Sequence, residues 1–426
     1  MITLTWLRRD LRLNDNTALQ QALKGPNKVL VLFIFDTNIL DELEKNDARV
    51  SFIHQQLELL NSQLVKMNSG LLVKTGDPLN IWQQLINEYN IGEVHFNRDY
   101  EPYATNRDKQ VQQFLQKNGI ACYSHKDQVI FEPHEVLKPD GTPYTVYTPY
   151  KNKWLQKFNP ANVEVNESFH SQDFANTKGK IPAMHEIGFE VAKVKVEPYD
   201  LSVVANYAQK RDLPAENGTS NLSVHLRFGT VSIRQIVKQV YALSPVFLSE
   251  LIWREFFMQI LYHYPRVVNE NFKTKYNGVQ WRNNEDEFKR WCKGETGYPI
   301  VDAGMRQLSQ TGYMHNRVRM ITAGFLCKHL LIDWRWGEAW FAKKLLDYEL
   351  ASNNGNWQWA AGTGCDAAPY FRVFNPTEQV KKFDKALKYI KKWVPELDSF
   401  AYPQPMVEHK IARERALEVY KKGLIN

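Results

Sequence analysis

The residues best suited to chemistry lie in the C-terminal half of the chain, at helical spacing. In SELIWREFF, Glu250, Trp253 and Arg254 stand at positions i, i+3 and i+4, so a helix places them on one face. Asn316 and Met320 are four residues apart and share a face by the same rule. A carboxylate beside an indole can hydrogen-bond to a flat partner and stack on it. These residues indicate a site for a planar, polar ligand.

The stretch ASNNGNWQW adds a second group of amides and indoles. Asn353 and Trp357 are four residues apart, whereas Trp359 lies two residues further and points nearly the opposite way on a helix. The two indoles are therefore expected to serve two different neighbours. Each residue alone also fits a structural role, as a core indole, a helix cap or a solvated helix position.

Two further features are compatible with a phosphate-bearing partner. In GTSNLSVHLRFG, Thr219 or Ser220 can cap a helix, and the same hydroxyl and N–H groups also suit a phosphate. The chain carries a net charge of +7, of which residues 1–127 hold −1 and the remainder +8. Excess positive charge favours a polyanion such as nucleic acid, although it also fits simple solubility.

The elements that must position these residues fall into two classes. Five short apolar or β-branched runs in the first third alternate with amphipathic helices: ITLTW, VLVLFIF, GLLVK, EVHFN and ACYSH. This alternation predicts a Rossmann-like α/β domain with a parallel sheet, although the Gly-rich dinucleotide fingerprint is absent after the first strand. After residue 200 only helical patterns remain, at 247–265, 302–313, 317–333 and 336–351.

The predicted organisation is an N-terminal Rossmann-like parallel-sheet domain followed by a larger all-α domain. Residues 1–127 form the first domain, 128–200 an irregular inter-domain connection, and 201–426 the helical domain. The four cysteines are scattered without metal-ligand spacing, which predicts reduced thiols and no metal site. No apolar run reaches membrane-spanning length and no signal-peptide pattern opens the chain, so we expect a cytoplasmic monomer without an obligate protein partner.

Long motifs along the whole chain resemble one family. TWLRRDLRLNDNTAL resembles its N-terminal signature, and the flavin-domain blocks follow in the family's order: GTSNLSVHLRFG, WREFF, GYPIVDAGMRQL, GYMHNRVRMI, LLIDWRWGE and NNGNWQWAAGTGCDAAPYFRVFNP. On these motifs the chain is identified as a member of the cryptochrome/photolyase family. It is most similar to class I DNA photolyases that act on cyclobutane pyrimidine dimers.

The resemblance implies FAD as cofactor and UV-damaged DNA as substrate. Excited, reduced FAD would pass an electron to a dimer flipped out of the duplex, and the electron would return after the cyclobutane ring opens. By motif position, the implied FAD-binding residues are Tyr207, Thr219, Ser220, Leu222, Ser223, Trp253, Arg254, Asn316, Arg319, Asp347, Glu349 and Asn353. Among them Asn353 matches the residue at flavin N5, and Glu349 replaces a more usual aspartate.

The resemblance also assigns the remaining indoles and the lesion contacts. Trp357, Trp334 and Trp281 match an electron-hopping chain from the flavin to the surface. The implied lesion and DNA contacts are Arg211, Glu250, Trp253, Asn316, Arg317, Met320 and Trp359. Glu250, Asn316, Met320 and Asn353 are the implied catalytic residues.

Two alternatives to dimer repair remain open on sequence. A cryptochrome-type blue-light photoreceptor would use the same FAD and the same indoles for signalling. Repair of the (6-4) photoproduct is disfavoured, because enzymes of that type carry histidines where this chain has Asn316 and Met320.

A second, light-harvesting chromophore is also implied on the N-terminal domain. NRDYEPY resembles relatives that bind a deazaflavin more than those that bind methenyltetrahydrofolate, since Tyr103 and Ala104 replace the Asn-Glu pair of folate binders. Arg49, Asp99 and Glu101 are the predicted antenna residues. A deazaflavin is expected in preference to methenyltetrahydrofolate, and another pigment or an empty site are the alternatives.

Overall fold

The computed structural model describes residues 1–165 and 169–424, and the chain divides into two compact units. The first unit comprises residues 1–135, 157–198 and 222–242. The second comprises residues 136–156, 199–221 and the described chain from 243 onward. Each unit is thus assembled from three separated segments. The domain boundaries drawn from sequence at residues 127 and 200 stay a prediction.

A five-stranded sheet forms the centre of the first unit. Its strands are β1 (Ile2–Leu7), β2 (Lys28–Asp36), β3 (Leu72–Gly76), β4 (Ile91–Asn97) and β5 (Ala121–His125). Their order is β3-β2-β1-β4-β5, and every neighbouring pair is parallel. All five predicted strands are present, and the predicted parallel α/β architecture is confirmed.

Eighteen α-helices lie in the described part of the chain. They are α1 (Thr17–Ala22), α2 (Thr37–Leu40), α3 (Ala48–Val65), α4 (Pro78–Glu88), α5 (Pro102–Lys117), α6 (Tyr147–Lys157), α7 (Tyr207–Lys210), α8 (Leu222–Phe228), α9 (Ile233–Val240), α10 (Pro245–His263), α11 (Glu285–Lys293), α12 (Pro299–Thr311), α13 (Asn316–Gly324), α14 (Trp334–Lys344), α15 (Leu350–Ala361), α16 (Pro376–Phe383), α17 (Lys388–Trp393) and α18 (His409–Gly423). A π-helix, Phe325–His329, continues from α13.

The polar residues of the N-terminal motif form hydrogen bonds and ion pairs within the first unit. Arg12 pairs with Asp127 at 2.5 Å, and both side chains are buried. Asn97, at the end of β4, donates to the Asp10 carboxylate at 2.6 Å and to the Asn16 carbonyl at 2.9 Å. Buried polar groups need such partners because an unsatisfied one costs about 1–3 kcal/mol. The motif therefore joins the loop after β1 to β4 and α1.

The second unit is helical, as predicted, but two of its predicted helices differ from the structure. The pattern over 317–333 predicts one helix, whereas α13 ends at Gly324 and gives way to the π-helix. The pattern over 336–351 also predicts one helix, whereas α14 ends at Lys344 and α15 begins at Leu350. The break leaves Asp347 and Glu349 in extended or turn backbone, where both carboxylates reach arginines.

The segment predicted to be irregular, 128–200, contains α6. Tyr147, Tyr150 and Trp154 lie on its buried face. Trp154 Nε1 donates to Glu255 Oε2 at 2.6 Å, which fixes α6 against α10. The sequence pattern did not predict this helix, because its buried positions are aromatic and the surrounding Pro, Gly and Lys residues are typical of loops.

Candidate active site

The face of α10 that carries Glu250, Trp253 and Arg254 forms one wall of the candidate site. Ser244 begins the helix, its hydroxyl accepting the backbone N–H of Phe247 at 3.2 Å. The Trp253 indole is half-buried and stacks on the Tyr147 ring, with centroids 3.5 Å apart and planes inclined by 8°. The Phe257 ring also lies against this indole, with centroids 5.4 Å apart and planes inclined by 28°, so rings of the protein already cover part of it.

Glu250 belongs to a chain of alternating charges. Its carboxylate accepts a hydrogen bond from the Arg211 guanidinium, which lies 3.9 Å from Asp212. Asp212 in turn pairs with Arg317 at 2.7 Å. The predicted lesion contacts Arg211, Glu250 and Arg317 are thus brought together by a residue that the sequence did not single out, Asp212. Glu250 is neutralised by a partner and is not merely solvated.

The start of α13 presents the other predicted lesion contacts. Asn316 is exposed, and Met320 is half-buried with its sulfur 3.7 Å from Arg317 Nη1. His315 caps the helix, its Nδ1 accepting the Arg317 backbone N–H at 3.2 Å. Burial lowers the pKa of His315 to about 4, so the imidazole is neutral above that pH.

Asn353 is oriented by a residue that the sequence motifs did not single out. Its Nδ2 donates to the backbone oxygen of Glu338 at 3.1 Å and to the Glu338 carboxylate at 2.8 Å. With both amide hydrogens directed at Glu338, the Asn353 carbonyl oxygen is the group left to accept a bond from another partner. Burial raises the pKa of Glu338.

Two ion pairs hold the residues that immediately precede α15. Arg319 binds Asp347 through both guanidinium nitrogens, at 3.2 and 2.9 Å. Arg254 lies 3.5 Å from Glu349, whose other oxygen accepts from the Ser352 hydroxyl at 3.0 Å. The longer side chain of Glu349, relative to aspartate, therefore still pairs with an arginine of α10.

The two indoles of α15 have different surroundings, as their spacing predicted. Trp357 is 2% exposed, while Trp359 is half-buried. Trp357 packs edge-on against Trp291 and Phe341, with centroids 6.1 and 4.9 Å away. A Cβ at Gly337 would lie 2.1 Å from this indole, so only glycine leaves room for it. Trp357 Nε1 is buried and has no hydrogen-bond partner among the described residues.

Trp334 and Trp281 are the other two indoles of the predicted electron-hopping chain. Trp334 is 1% exposed and donates from Nε1 to Asn271 at 2.9 Å. Trp281 is half-buried and packs edge-on against Tyr420, with centroids 5.8 Å apart. Trp281 is thus the least buried of the three, while the route between the indoles stays a prediction.

The neighbouring amides of α15 have structural roles. Asn354 and Gln358 both donate to the backbone oxygen of Val267, at 2.9 and 3.0 Å. Gln358 also accepts the backbone N–H of Phe272 at 2.8 Å. These two residues fasten the chain after α10 to α15, which leaves Asn353 as the amide available for function.

The remaining predicted FAD residues are divided between the units. Tyr207, Thr219 and Ser220 lie in the second unit, where Tyr207 packs edge-on against Phe247 with centroids 4.9 Å apart. Leu222 and Ser223 begin α8 in the first unit. Their roles toward a pyrophosphate stay predictions.

The predicted antenna residues do not share one set of contacts. Asp99 and Glu101 both pair with Arg9, at 3.1 and 3.0 Å, and Glu101 lies 3.5 Å from Arg227. Arg49 instead pairs with Asp47 at the start of α3. An antenna site at these residues stays a prediction.

No helix among residues 1–165 and 169–424 is long and apolar enough to cross a membrane.

Comparisons with known proteins show the family of the chain. Residues 3–168 match the family model described as DNA photolyase, and residues 247–401 match the FAD binding domain of DNA photolyase. A deoxyribodipyrimidine photo-lyase of Synechococcus sp. is 36% identical, over 98% of this chain and 96% of the relative.

Two solved structures are similar along their whole length. A class III photolyase from Agrobacterium tumefaciens has a TM-score of 0.90 at 34% identity, with 100% of this chain and 98% of the other covered. An archaeal photolyase from Sulfolobus tokodaii, described with two FAD molecules, has a TM-score of 0.84 at 32% identity, with 99% and 100% covered.

The chain belongs to the DNA photolyase family. It is a photo-lyase, and its second unit contains the family's FAD-binding domain. The assignment to class I within the family stays a prediction.

The residues present fit a flavin. The side chain of the buried residue Asn353 donates to Glu338 and keeps its carbonyl oxygen as an acceptor, and the ion pair of Arg319 with Asp347 stands near the start of the same helix. N5 of a reduced isoalloxazine carries a proton, and the Asn353 carbonyl oxygen could accept a hydrogen bond from it.

Proposed function

We propose that the protein repairs cyclobutane pyrimidine dimers in DNA with light. The observation that carries the proposal is the chemical character of the side chains at the start of α13. Asn316 and Met320 cannot transfer a proton at neutral pH, and His315, with a pKa of about 4, is uncharged there. Repair of the (6-4) photoproduct needs proton transfer, whereas splitting a cyclobutane ring needs only an electron. The names of the curated relatives support the same substrate.

The residues of the chain hold and orient the two partners of this reaction. Trp253 and Trp359 supply flat, partly exposed indoles on which a flipped base can stack. Glu250 accepts from the imide edge of a pyrimidine, while Arg211 and Arg317 contribute positive charge for phosphates. Asn353, Arg319 and Asp347 would hold the flavin. Bound, reduced FAD supplies the light-driven electron, as in the family.

Repair of irradiated DNA tests the proposal. Reduced protein should remove cyclobutane dimers from DNA under blue light, none in the dark, and should leave (6-4) photoproducts in place. Each lesion is counted separately on a synthetic oligonucleotide that carries one of them. Removal of the (6-4) lesion, or no light-dependent removal of either, would contradict the assignment, and the second outcome would favour a photoreceptor.

Glu338 is expected to control the flavin through Asn353. In Glu338→Ala the Asn353 amide loses its carboxylate acceptor, at a cost of about 1 kcal/mol or more, and only the bond to the backbone oxygen of residue 338 still restrains its orientation. Because the amide oxygen then no longer faces the flavin consistently, the reduced cofactor should reoxidise faster in air. The measurement is the rate of recovery of oxidised-flavin absorbance after chemical reduction.

Glu338→Gln is the matched control, since a glutamine keeps an oxygen that can accept from Asn353. It should retain slow reoxidation, and both variants should bind FAD in full amount. Equal reoxidation rates in all three proteins would show that Glu338 does not act on the flavin.

A further inference from the structure

Two indoles of the predicted electron-hopping chain differ in what their N–H groups contact. Trp357 Nε1 is buried and donates to no residue in the part of the protein that the structure describes. Trp334 is also buried, but its Nε1 donates to the Asn271 side-chain oxygen at 2.9 Å. A hydrogen-bond acceptor is therefore built in at Trp334 and is missing at Trp357.

The Asn271 carboxamide is held with its oxygen toward the indole. The residue is 3% exposed, and its Nδ2 donates to the Asn277 side-chain oxygen at 2.9 Å, which leaves Oδ1 for the indole N–H. The neighbouring backbone is fixed as well. The Asn271 backbone oxygen accepts from Arg266 Nη1 at 3.0 Å, and the Phe272 N–H donates to Gln358 at 2.8 Å. The amide oxygen is thus in place before an electron moves.

An acceptor matters more to an oxidised indole than to a neutral one. Loss of an electron turns the indole into a radical cation, so its N–H bond to an amide oxygen becomes charge-assisted. Charge-assisted hydrogen bonds are about twice as strong as neutral ones, and they gain most where water is excluded. A buried indole with an acceptor is consequently easier to oxidise than a buried indole without one.

The charged groups beside Trp334 largely offset each other. The Arg335 guanidinium lies over the indole, 4.7 Å from the ring centroid, and opposes a positive charge there. Arg335 Nη1 is itself paired with the Asp333 carboxylate, at 3.1 and 3.0 Å, and Asp333 also caps α14, which begins with Trp334. The Asn271 oxygen remains as the acceptor directed at the indole N–H.

We propose that Asn271 makes Trp334 easier to oxidise than Trp357 and so directs electron transfer during light-driven reduction of the flavin. One electron leaves Trp357 for the excited, oxidised flavin, and one electron from Trp334 then refills Trp357. The separated charges attract each other, so the electron returns unless the second indole is easier to oxidise. Asn271 is a positioning residue that supplies this difference.

The neutral amide also lets the charge move on. It accepts a hydrogen bond without taking the indole proton at neutral pH, so the next electron comes from Trp281, and an external thiol gives up the electron that restores Trp281. The proposal rests on the predicted hopping chain and on FAD as cofactor. It does not depend on which DNA lesion is repaired.

Asn271→Leu tests the proposal, because it removes the acceptor and keeps a similar volume. The rate of photoreduction under blue light is measured without DNA, with oxidised flavin and an external thiol. It should fall about tenfold or more, the loss expected for one charge-assisted hydrogen bond. FAD content and thermal unfolding are compared with the parent. If Asn271→Leu does not fold, Asn271→Met takes its place, since methionine adapts to irregular spaces.

A second measurement is made in the dark and is independent of photoreduction. The ultraviolet resonance Raman band of the indole N–H reports hydrogen bonding, and the difference between parent and Trp334→Phe identifies the contribution of Trp334. In Asn271→Leu this contribution should shift to the position of an indole without an acceptor. An unshifted band would show that Asn271 does not bind the indole and would overturn the proposal.

Two further variants control for local structure. Asn277→Ala removes the other partner of Asn271 from an exposed position and leaves the bond to the indole in place. Asn271→Asp keeps an oxygen that accepts from the indole. Both should photoreduce at the parental rate or above it. A loss in Asn277→Ala as large as in Asn271→Leu would indicate a general disturbance of this segment, and the proposal would fail.

Trp334→Phe distinguishes the role of Asn271 from the hopping chain itself. Loss of photoreduction in both Trp334→Phe and Asn271→Leu would support the two together. A defect in Trp334→Phe with a parental rate in Asn271→Leu would keep the hopping chain and reject the role of Asn271. Normal photoreduction in Trp334→Phe would reject both. Since no DNA is present, none of these outcomes bears on dimer repair.

Discussion

Trp253→Ala should abolish most of the preference of the protein for dimer-bearing over intact DNA. The indole is half-buried on α10, and Tyr147 stacks on one of its faces at 3.5 Å, so its plane is fixed before any ligand arrives. A base stacked on the exposed part of the indole is worth roughly 1–3 kcal/mol. The measurement is the ratio of dissociation constants for the two duplexes at one salt concentration, with FAD content checked in parallel.

Two variants of Tyr147 serve as controls for this result. Tyr147→Phe keeps the ring and removes only the hydroxyl, which contacts the Ser249 backbone oxygen at 2.7 Å. It should keep nearly all of the discrimination. Tyr147→Ala removes the support behind Trp253 and should lose an intermediate part of it. Stronger lesion binding in Tyr147→Ala would mean that Tyr147 occupies the place of the lesion, and an unchanged ratio in Trp253→Ala would remove Trp253 from the lesion site.

Strands and long amphipathic helices were predictable from the sequence because their patterns are local. The five strands of the sheet are continuous apolar runs, and α10 and α12 follow helical periodicity closely. The break between α14 and α15 was not predictable in the same way. It is stabilised by the distant partners Arg319 and Arg254, which bind Asp347 and Glu349. A local pattern contains no information about such partners.

In the candidate site, too, the features that depend on local spacing were predictable and those that depend on contacts between elements were not. The shared helix face of Glu250, Trp253 and Arg254 follows from spacing alone, and so does the different exposure of Trp357 and Trp359. Glu338 and Tyr147 were missed because each acts across elements, one from α14 to α15 and the other from α6 to α10. The motif LLIDWRWGE contains Glu338, but only the distance to Asn353 gives that residue a role.

Substitution of Trp357 is expected to have the second large effect, a loss of light-driven flavin reduction. The indole is buried, its Nε1 donates to no described residue, and its ring packs on Gly337 and Phe341. Trp357→Phe therefore loses no hydrogen bond and keeps an aromatic ring, at a stability cost of about 1–3 kcal/mol for the cavity. Phenylalanine is much harder to oxidise than indole. The variant should fold, bind FAD and fail to reduce its oxidised flavin under blue light with an external reductant.

Chemical reduction separates this role from the repair step itself. Repair moves an electron between flavin and dimer, so Trp357→Phe reduced with dithionite should repair dimers at near parental yield. If electrons travel from Trp357 through Trp334 to Trp281, Trp334→Phe should show the same photoreduction defect. Trp291→Phe tests an alternative route, since the Trp291 ring lies 6.1 Å from Trp357. A defect confined to Trp291→Phe would redirect the route through Trp291. Normal photoreduction in Trp357→Phe would mean that electrons bypass Trp357, and failed repair after dithionite would assign Trp357 to the substrate pocket.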